Sequence, residues 1–276
     1  MAGKRKKTRR WPGSLMALAA ACLLLTMSGP QGAAVNSPLA PQDPPELLEL
    51  PEPPELPETP PESEPEAEPR WGGPVPESAA AEDTYFSDAV FLGDSRTDGF
   101  RLYSGLREGT YLCAVGATVE SVFSKDVDTP QGRMPLLDAL AEMECGKIYI
   151  MLGVNELGWP GTDLFRSKGA ELIRRIQADH PDALIMIQSI LPVSALQDAR
   201  GSYVNNGRVA DYNAVWRDLA EELGVFYVAV DEMLTGEDGC LPADLNFDGV
   251  HLNPDGCAVW LEYLRTHAVA ELELNT

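Results

Sequence analysis

Between residues 84 and 276, short apolar runs alternate with stretches whose apolar positions recur at helical spacing. This strand–helix rhythm predicts an α/β domain on a parallel sheet. Five strands are expected, at Ala89–Leu92, Tyr111–Val115, Lys147–Leu152, Ala183–Gln188 and Val225–Val230. Most are rich in Val, Ile, Tyr or Phe, as strands of buried parallel sheets are. Helices are expected at about Arg133–Met143, Thr162–Asp179, Asn205–Leu223 and Pro254–Leu272. In the third, Val209, Tyr212, Asn213, Val215, Trp216, Leu219 and Leu223 approximate one face, and Gly224 stops the helix.

Right-handed crossovers put the ligand crevice of such a sheet outside the carboxyl ends of its strands. Ser95 follows the first strand, Gly116 the second, and Gly153 and Asn155 the third, while Asp248–His251 lies beyond the fifth. All are therefore expected on one edge. His180 precedes the fourth strand, on the opposite edge, and His267 lies well along the last helix. Of the three histidines, only His251 is placed to reach Ser95.

Composition divides the chain further. Residues 1–12 carry six basic residues and no acid, and an apolar stretch from about Leu15 to Met27 follows. Residues 1–34 are expected to be a signal peptide cleaved near Gly32-Ala33-Ala34, or alternatively an uncleaved N-terminal membrane anchor crossing through 13–29. Cys22 lies inside the apolar stretch with three leucines after it, which argues against lipidation. Residues 35–83, with repeats such as Pro51-Glu52-Pro53-Pro54-Glu55, are too poor in large apolar residues to build a core and are expected to form a disordered, extended Pro/Glu-rich linker. Residues 84–276 suit one domain.

The net charge of −22 leaves this domain strongly acidic, without a basic stripe for nucleic acid. The expectation is an extracellular or cell-envelope monomer with no nucleic-acid partner and no cofactor. Metal-spaced Cys/His clusters are absent from the sequence. Cys240 and Cys257 flank the Asp248–His251 segment, where a bridge would clamp the loop, but spacing alone does not fix connectivity and two free thiols are the default. Cys113 and Cys145, expected at opposite ends of the sheet, are read as free.

The candidate chemistry starts at Gly93-Asp94-Ser95. A serine hydroxyl is a poor nucleophile unless an imidazole takes its proton, and the imidazole works best when a carboxylate fixes its tautomer. Asp248-Gly249-Val250-His251 supplies both groups. Each piece also has a plain structural explanation. Asp and Ser cap helices, Asn155 suits a tight turn, and Asp248 with His251 can form a loop ion pair. Order, spacing and a shared sheet edge favour the catalytic reading.

At these residues the chain resembles the SGNH/GDSL hydrolase family, block by block, over about residues 87–265. The matching blocks are Gly93-Asp94-Ser95, Gly116, Gly153-Val154-Asn155-Glu156 and Asp248-Gly249-Val250-His251. The resemblance implies a three-layer, flavodoxin-like α/β fold with a five-stranded parallel sheet. It implies Ser95 as nucleophile, His251 as base, Asp248 as its orienter, and an oxyanion hole from the Ser95 and Gly116 amides and the Asn155 side chain. Asp94, Gly153, Glu156 and Arg96 are supporting residues. Two positions depart from the family pattern. Arg96 stands where an aliphatic residue is usual and is expected to pin the nucleophile turn through a carboxylate, with contact to an acidic substrate as the alternative. Glu156 replaces the usual Asp, and a supporting hydrogen bond from its longer arm is expected. Leu157, Trp159, Pro160 and Leu191-Pro192-Val193 are expected to border the pocket. The function implied is hydrolysis of small-molecule or polymer-borne O-acyl esters by an exported serine esterase. O-acyl transfer by the same triad and an inactive surface binding module are the alternatives.

Overall fold

A computed structural model describes residues 71–269 of the 276-residue chain. The expected signal or anchor segment, residues 1–34, and the linker through residue 70 lie outside the described residues. None of the described helices is long and apolar enough to cross a membrane. In chain order the elements are β1 (Ala89–Gly93), α1 (Ser95–Tyr103), β2 (Thr110–Cys113), β3 (Val127–Thr129), β4 (Gly132–Met134), α2 (Leu136–Ala141) and β5 (Lys147–Met151). They continue as α3 (Asp163–Asp179), β6 (Leu184–Gln188), α4 (Ala195–Asp198), α5 (Asn206–Leu223), β7 (Phe226–Val228), α6 (Asp231–Leu234) and α7 (Pro254–Thr266), with short 3-10 turns between some of them.

The main sheet has the order β2-β1-β5-β6-β7, every neighbouring pair parallel. Counting only its five strands, this is the flavodoxin-type order 2-1-3-4-5. The period-2 alternation of strand side chains divides the core in two. Leu92, Ile150, Ile187 and Tyr227 are in register and face α2, α3 and α5, where Leu137, Ile173 and Trp216 are buried. Phe91, Tyr149, Met186 and Phe226, also in register, pack with Phe100 of α1 and Trp260 of α7. Three layers result.

Two sequence expectations are corrected. The helix expected at Arg133–Met143 forms only over Leu136–Ala141, because Gly132–Met134 pairs antiparallel with Val127–Thr129. Pro135, the N-cap at φ −60° and ψ 146°, marks the change, since a residue before proline favours extended backbone. The linker boundary at residue 83 also moves toward the N-terminus. Val75 is buried and its amide donates to the Tyr227 carbonyl at 2.9 Å, Ser78 and Ala81 donate to α7 carbonyls, and Asp83 pairs with Arg265. The reason is β7, whose outer edge would otherwise present unpaired backbone groups. Among the described residues the four cysteines, Cys113, Cys145, Cys240 and Cys257, are unpaired.

Topology positions the site. The strand order departs from β1 in both directions, to β2 on one side and to β5 on the other, and the gap between β1 and β5 is the switch point outside which such sheets bind ligands. The neighbouring ends of β2, β1 and β5 lead to Gly116, Ser95 and Asn155. The fourth component, Asp248–His251, directly precedes α7. Phe100 and Trp260 rings lie 4.5 Å apart on the same sheet face, and the Trp260 indole donates to Gln188 Oε1 at 2.8 Å. The helix that starts at Ser95 and the helix that follows His251 are therefore packed side by side.

Candidate active site

Ser95 opens α1, with Asp94 as its N-cap in extended conformation. Asp94 Oδ1 accepts from the Arg96 amide at 2.8 Å, so the capping explanation of Gly-Asp-Ser is true and leaves the Ser95 side chain free for another role. As the first residue of the helix, Ser95 has an amide without an intrahelical acceptor, at the helix end that favours negative charge.

His251 sits on a tightly bonded turn. Asp248 Oδ1 accepts from the amides of Val250 and His251, both at 2.9 Å. The Gly249 amide donates to Asn246 Oδ1 at 2.7 Å, and the Gly249 carbonyl accepts from the Ser194 amide at 2.9 Å. Asp248 Oδ2 lies 2.8 Å from His251 Nδ1, and His251 Nε2 lies 3.0 Å from Ser95 Oγ. An ionised carboxylate can only accept, so Nδ1 carries the ring proton and Nε2 offers its lone pair to the serine hydroxyl. Partial burial raises the Asp248 carboxyl, but hydrogen bonds from the His251 amide, the His251 ring and the Val250 amide outweigh it and hold the group below its ordinary value.

The remaining predicted residues lie on the turns that follow β2 and β5. Gly116 is exposed, with φ +74°, a backbone that L side chains rarely adopt. Gly153, at φ +133°, ends the β5 segment where a Cβ would overlap the Ile190 side chain. Asn155 Nδ2 donates to the Ala117 carbonyl at 2.9 Å and makes a longer contact of 3.5 Å to Asp94 Oδ2. The amide thus spans the Asp94-Ser95 turn and the Gly116 loop, and its second hydrogen is only weakly engaged.

Arg96 corrects the expectation attached to it. It is buried, and Nη1 donates to the Leu191 carbonyl at 2.8 Å, so it ties the Asp94-Ser95 turn to the segment after β6 through a carbonyl rather than a carboxylate. Its burial also removes it from contact with substrate. Desolvation lowers its pKa to about 10 against the opposing charges of Asp94 and Asp248. Asp94 is buried too, and desolvation raises its pKa to about 6 despite Arg96 and the Arg96 amide. The segments expected to border the pocket do so less than predicted, because Leu157, Leu191 and Val193 are fully buried in the core.

The titration of Asp94 has a measurable consequence. Its folded pKa of about 6 exceeds the ordinary 3.8, so its contribution to stability is full below about pH 4 and is lost as pH rises through 6. Asp94→Asn keeps a capping oxygen and removes the titration. Removing the counter-charge of Arg96 adds its own offset. Relative to wild type, the variant should gain up to about 3 kcal/mol between pH 4 and pH 7, read from denaturant midpoints. A difference that does not change with pH would contradict this assignment.

Sequence reasoning missed the residues that hold the segment after β6. Asn213 of α5 bonds both the amide and carbonyl of Ile190, and Asn206 does the same for Val193. The signal was present in Asn213, a polar residue on an otherwise apolar helix face. The other histidines lie elsewhere. His180 bonds the Leu140 carbonyl and lines a cavity of about 430 Å3 with Trp71, Lys147 and Phe226, at the opposite edge of the sheet from Ser95. His267 stacks on Tyr263. Among the described residues no group of three or more His, Cys, Asp or Glu is placed to hold a metal ion.

The GDSL-like lipase/acylhydrolase family model matches residues 91–259. Among solved structures, a Streptococcus pneumoniae protein provisionally described as a platelet activating factor is 23% identical, with a TM-score of 0.52 over 64% of this chain and 81% of its own. A provisional acylhydrolase from Bacteroides fragilis is 16% identical, with a TM-score of 0.50 over 69% and 88% of the two chains. These likenesses are of fold. No curated protein sequence matches the chain.

Proposed function

The chain belongs to the GDSL-like lipase/acylhydrolase family of SGNH-type ester hydrolases, and on that premise we propose that it is an exported serine esterase acting on O-acyl esters of the cell envelope, carbohydrate or lipid. The observation that carries the reading is the pair of hydrogen bonds from Asp248 through His251 to Ser95, 2.8 and 3.0 Å long. Ser95 Oγ attacks the ester carbonyl while His251 Nε2 takes its proton. The resulting oxyanion is met by the Ser95 and Gly116 amides and the Asn155 side chain. His251 then returns the proton to the departing alcohol, leaving an acyl group on Ser95, which a water activated by the same imidazole releases. Preorganised neutral donors suit this task, each typically contributing about 100- to 1000-fold in rate.

The triad is open. The side chains of His251 and Asp248 are 43% and 55% exposed, which favours an acyl group presented on a polymer over a long chain threaded into a tunnel. The basic and apolar N-terminus supports export, and the Pro/Glu-rich stretch supports a spacer between a membrane and the domain.

Assays of the full chain against acetylated saccharides and longer-chain esters test this. Acid release is expected, fastest from short acyl groups, together with labelling of Ser95 by a fluorophosphonate. A folded sample that neither releases acid from any ester nor takes the label would sink the proposal. Acylated product formed from an added sugar alcohol, in place of free acid, would redirect it to acyl transfer.

A further inference from the structure

Asn155 and Glu156 are consecutive, yet their side chains reach the same remote segment at two points. Asn155 Nδ2 donates to the Ala117 carbonyl at 2.9 Å, and Glu156 Oε1 accepts from the Val119 amide at 2.7 Å. That segment directly follows Gly116. The turn bearing both residues is itself anchored, since the Tyr212 hydroxyl donates to the Glu156 carbonyl at 2.8 Å and the Glu156 amide donates to the Gly153 carbonyl at 3.2 Å. The Glu156 side chain is fully buried, and its Oε2 has no hydrogen-bond partner. A carboxyl with one unpaired buried oxygen is an expensive way to satisfy one amide unless the position of that amide matters.

We propose that Glu156 is a positioning residue, clamping the Ala117–Val119 segment to the Asn155 turn so that the Gly116 amide and the Asn155 side chain face one point above Ser95. The inference rests on the esterase reading and adds to it a residue that touches neither substrate nor triad. As the neutral acid Glu156 still offers a carbonyl oxygen to the Val119 amide. Burial, against the hydrogen bond from the Val119 amide and together with the charge of Asp94, pushes the Glu156 pKa up to about 8. The titratable groups facing it are Asp94 at the β1–α1 turn and Tyr212 of α5, and Asp94 in turn faces Arg96 and His251. Ionisation of Glu156 would add a second buried negative charge beside Asp94, close to where the oxyanion develops, and would disfavour the transition state.

The test compares full-length wild type, Glu156→Gln and Glu156→Met with 4-nitrophenyl acetate from pH 6 to 10. Gln keeps the acceptor oxygen and cannot ionise, whereas Met fills the space and leaves the Val119 amide unpaired. Wild-type kcat should fall above about pH 8. Glu156→Gln should stay within about five-fold of wild type at pH 7 and lack this fall. Glu156→Met should lose about 100-fold in kcat with little change in KM, the size of effect that a misplaced donor produces. An active wild type with an equally active Glu156→Met, or a Glu156→Gln profile that keeps the alkaline fall, overturns the inference alone. A wild type that neither cleaves nor labels removes the esterase reading and this inference with it. If Glu156→Met does not fold, the Glu156→Gln profile decides.

Discussion

Ser95→Ala should leave a folded domain whose ester turnover is about 10,000- to 1,000,000-fold slower than wild type, the range seen when a triad nucleophile is removed. The size follows from the site. Ser95 Oγ is the only side-chain oxygen within hydrogen-bond reach of His251 Nε2 among the described residues, so no second hydroxyl can take over the attack. Residual turnover would come from the oxyanion donors, with water replacing the serine. Stability should change by no more than about 0.5 kcal/mol, because the side chain is half-buried and the helix cap belongs to Asp94. Three readings on one sample decide it: kcat on a soluble acetyl ester, covalent labelling by a fluorophosphonate, and the thermal midpoint. A variant that keeps its midpoint and more than a hundredth of its turnover would show that Ser95 serves only as a helix start.

How much of this could be read before the fold was known depends on where each interaction lies. The five sheet strands end within two residues of their expected positions, because a strand buried on both faces must be a continuous apolar run and polar residues end it. The juxtaposition of Ser95 with His251 was legible for a related reason. Strand ends share an edge, so residues distant in sequence could be placed together by topology. Helix α1 could not be delimited, since Ser95–Tyr103 contains a single buried large apolar side chain, Phe100, and gives no apolar stripe. The partners of Arg96, Glu156 and Asn155 were equally hidden. All three bond to backbone groups of Leu191, Val119 and Ala117, and a backbone amide or carbonyl leaves no trace in residue type. A supporting hydrogen bond could therefore be expected of Glu156, but not its partner.

Asp248→Asn should cost about 10,000-fold in kcat while leaving the turn intact. Asp248 has two separable tasks. Its Oδ1 accepts from the Val250 and His251 amides and shapes the turn, and Asn can keep that oxygen in place. Its Oδ2 accepts from His251 Nδ1, and there Asn would present an NH2 group, which cannot accept. The imidazole would then move its proton to Nε2 so that Nδ1 could accept from the amide, and Nε2 would face Ser95 as a donor with no lone pair for the hydroxyl proton. Binding is untouched by this change, so KM should move little, and the thermal midpoint should stay near that of wild type. Asp248→Ala separates the two tasks, because it removes the turn oxygen as well and should lower both kcat and the midpoint. If Asp248→Asn retained a tenth of the wild-type kcat, the carboxylate would be shaping the Asp248–His251 turn without setting the tautomer, and the base would have to be oriented by its contact with Ser95 alone.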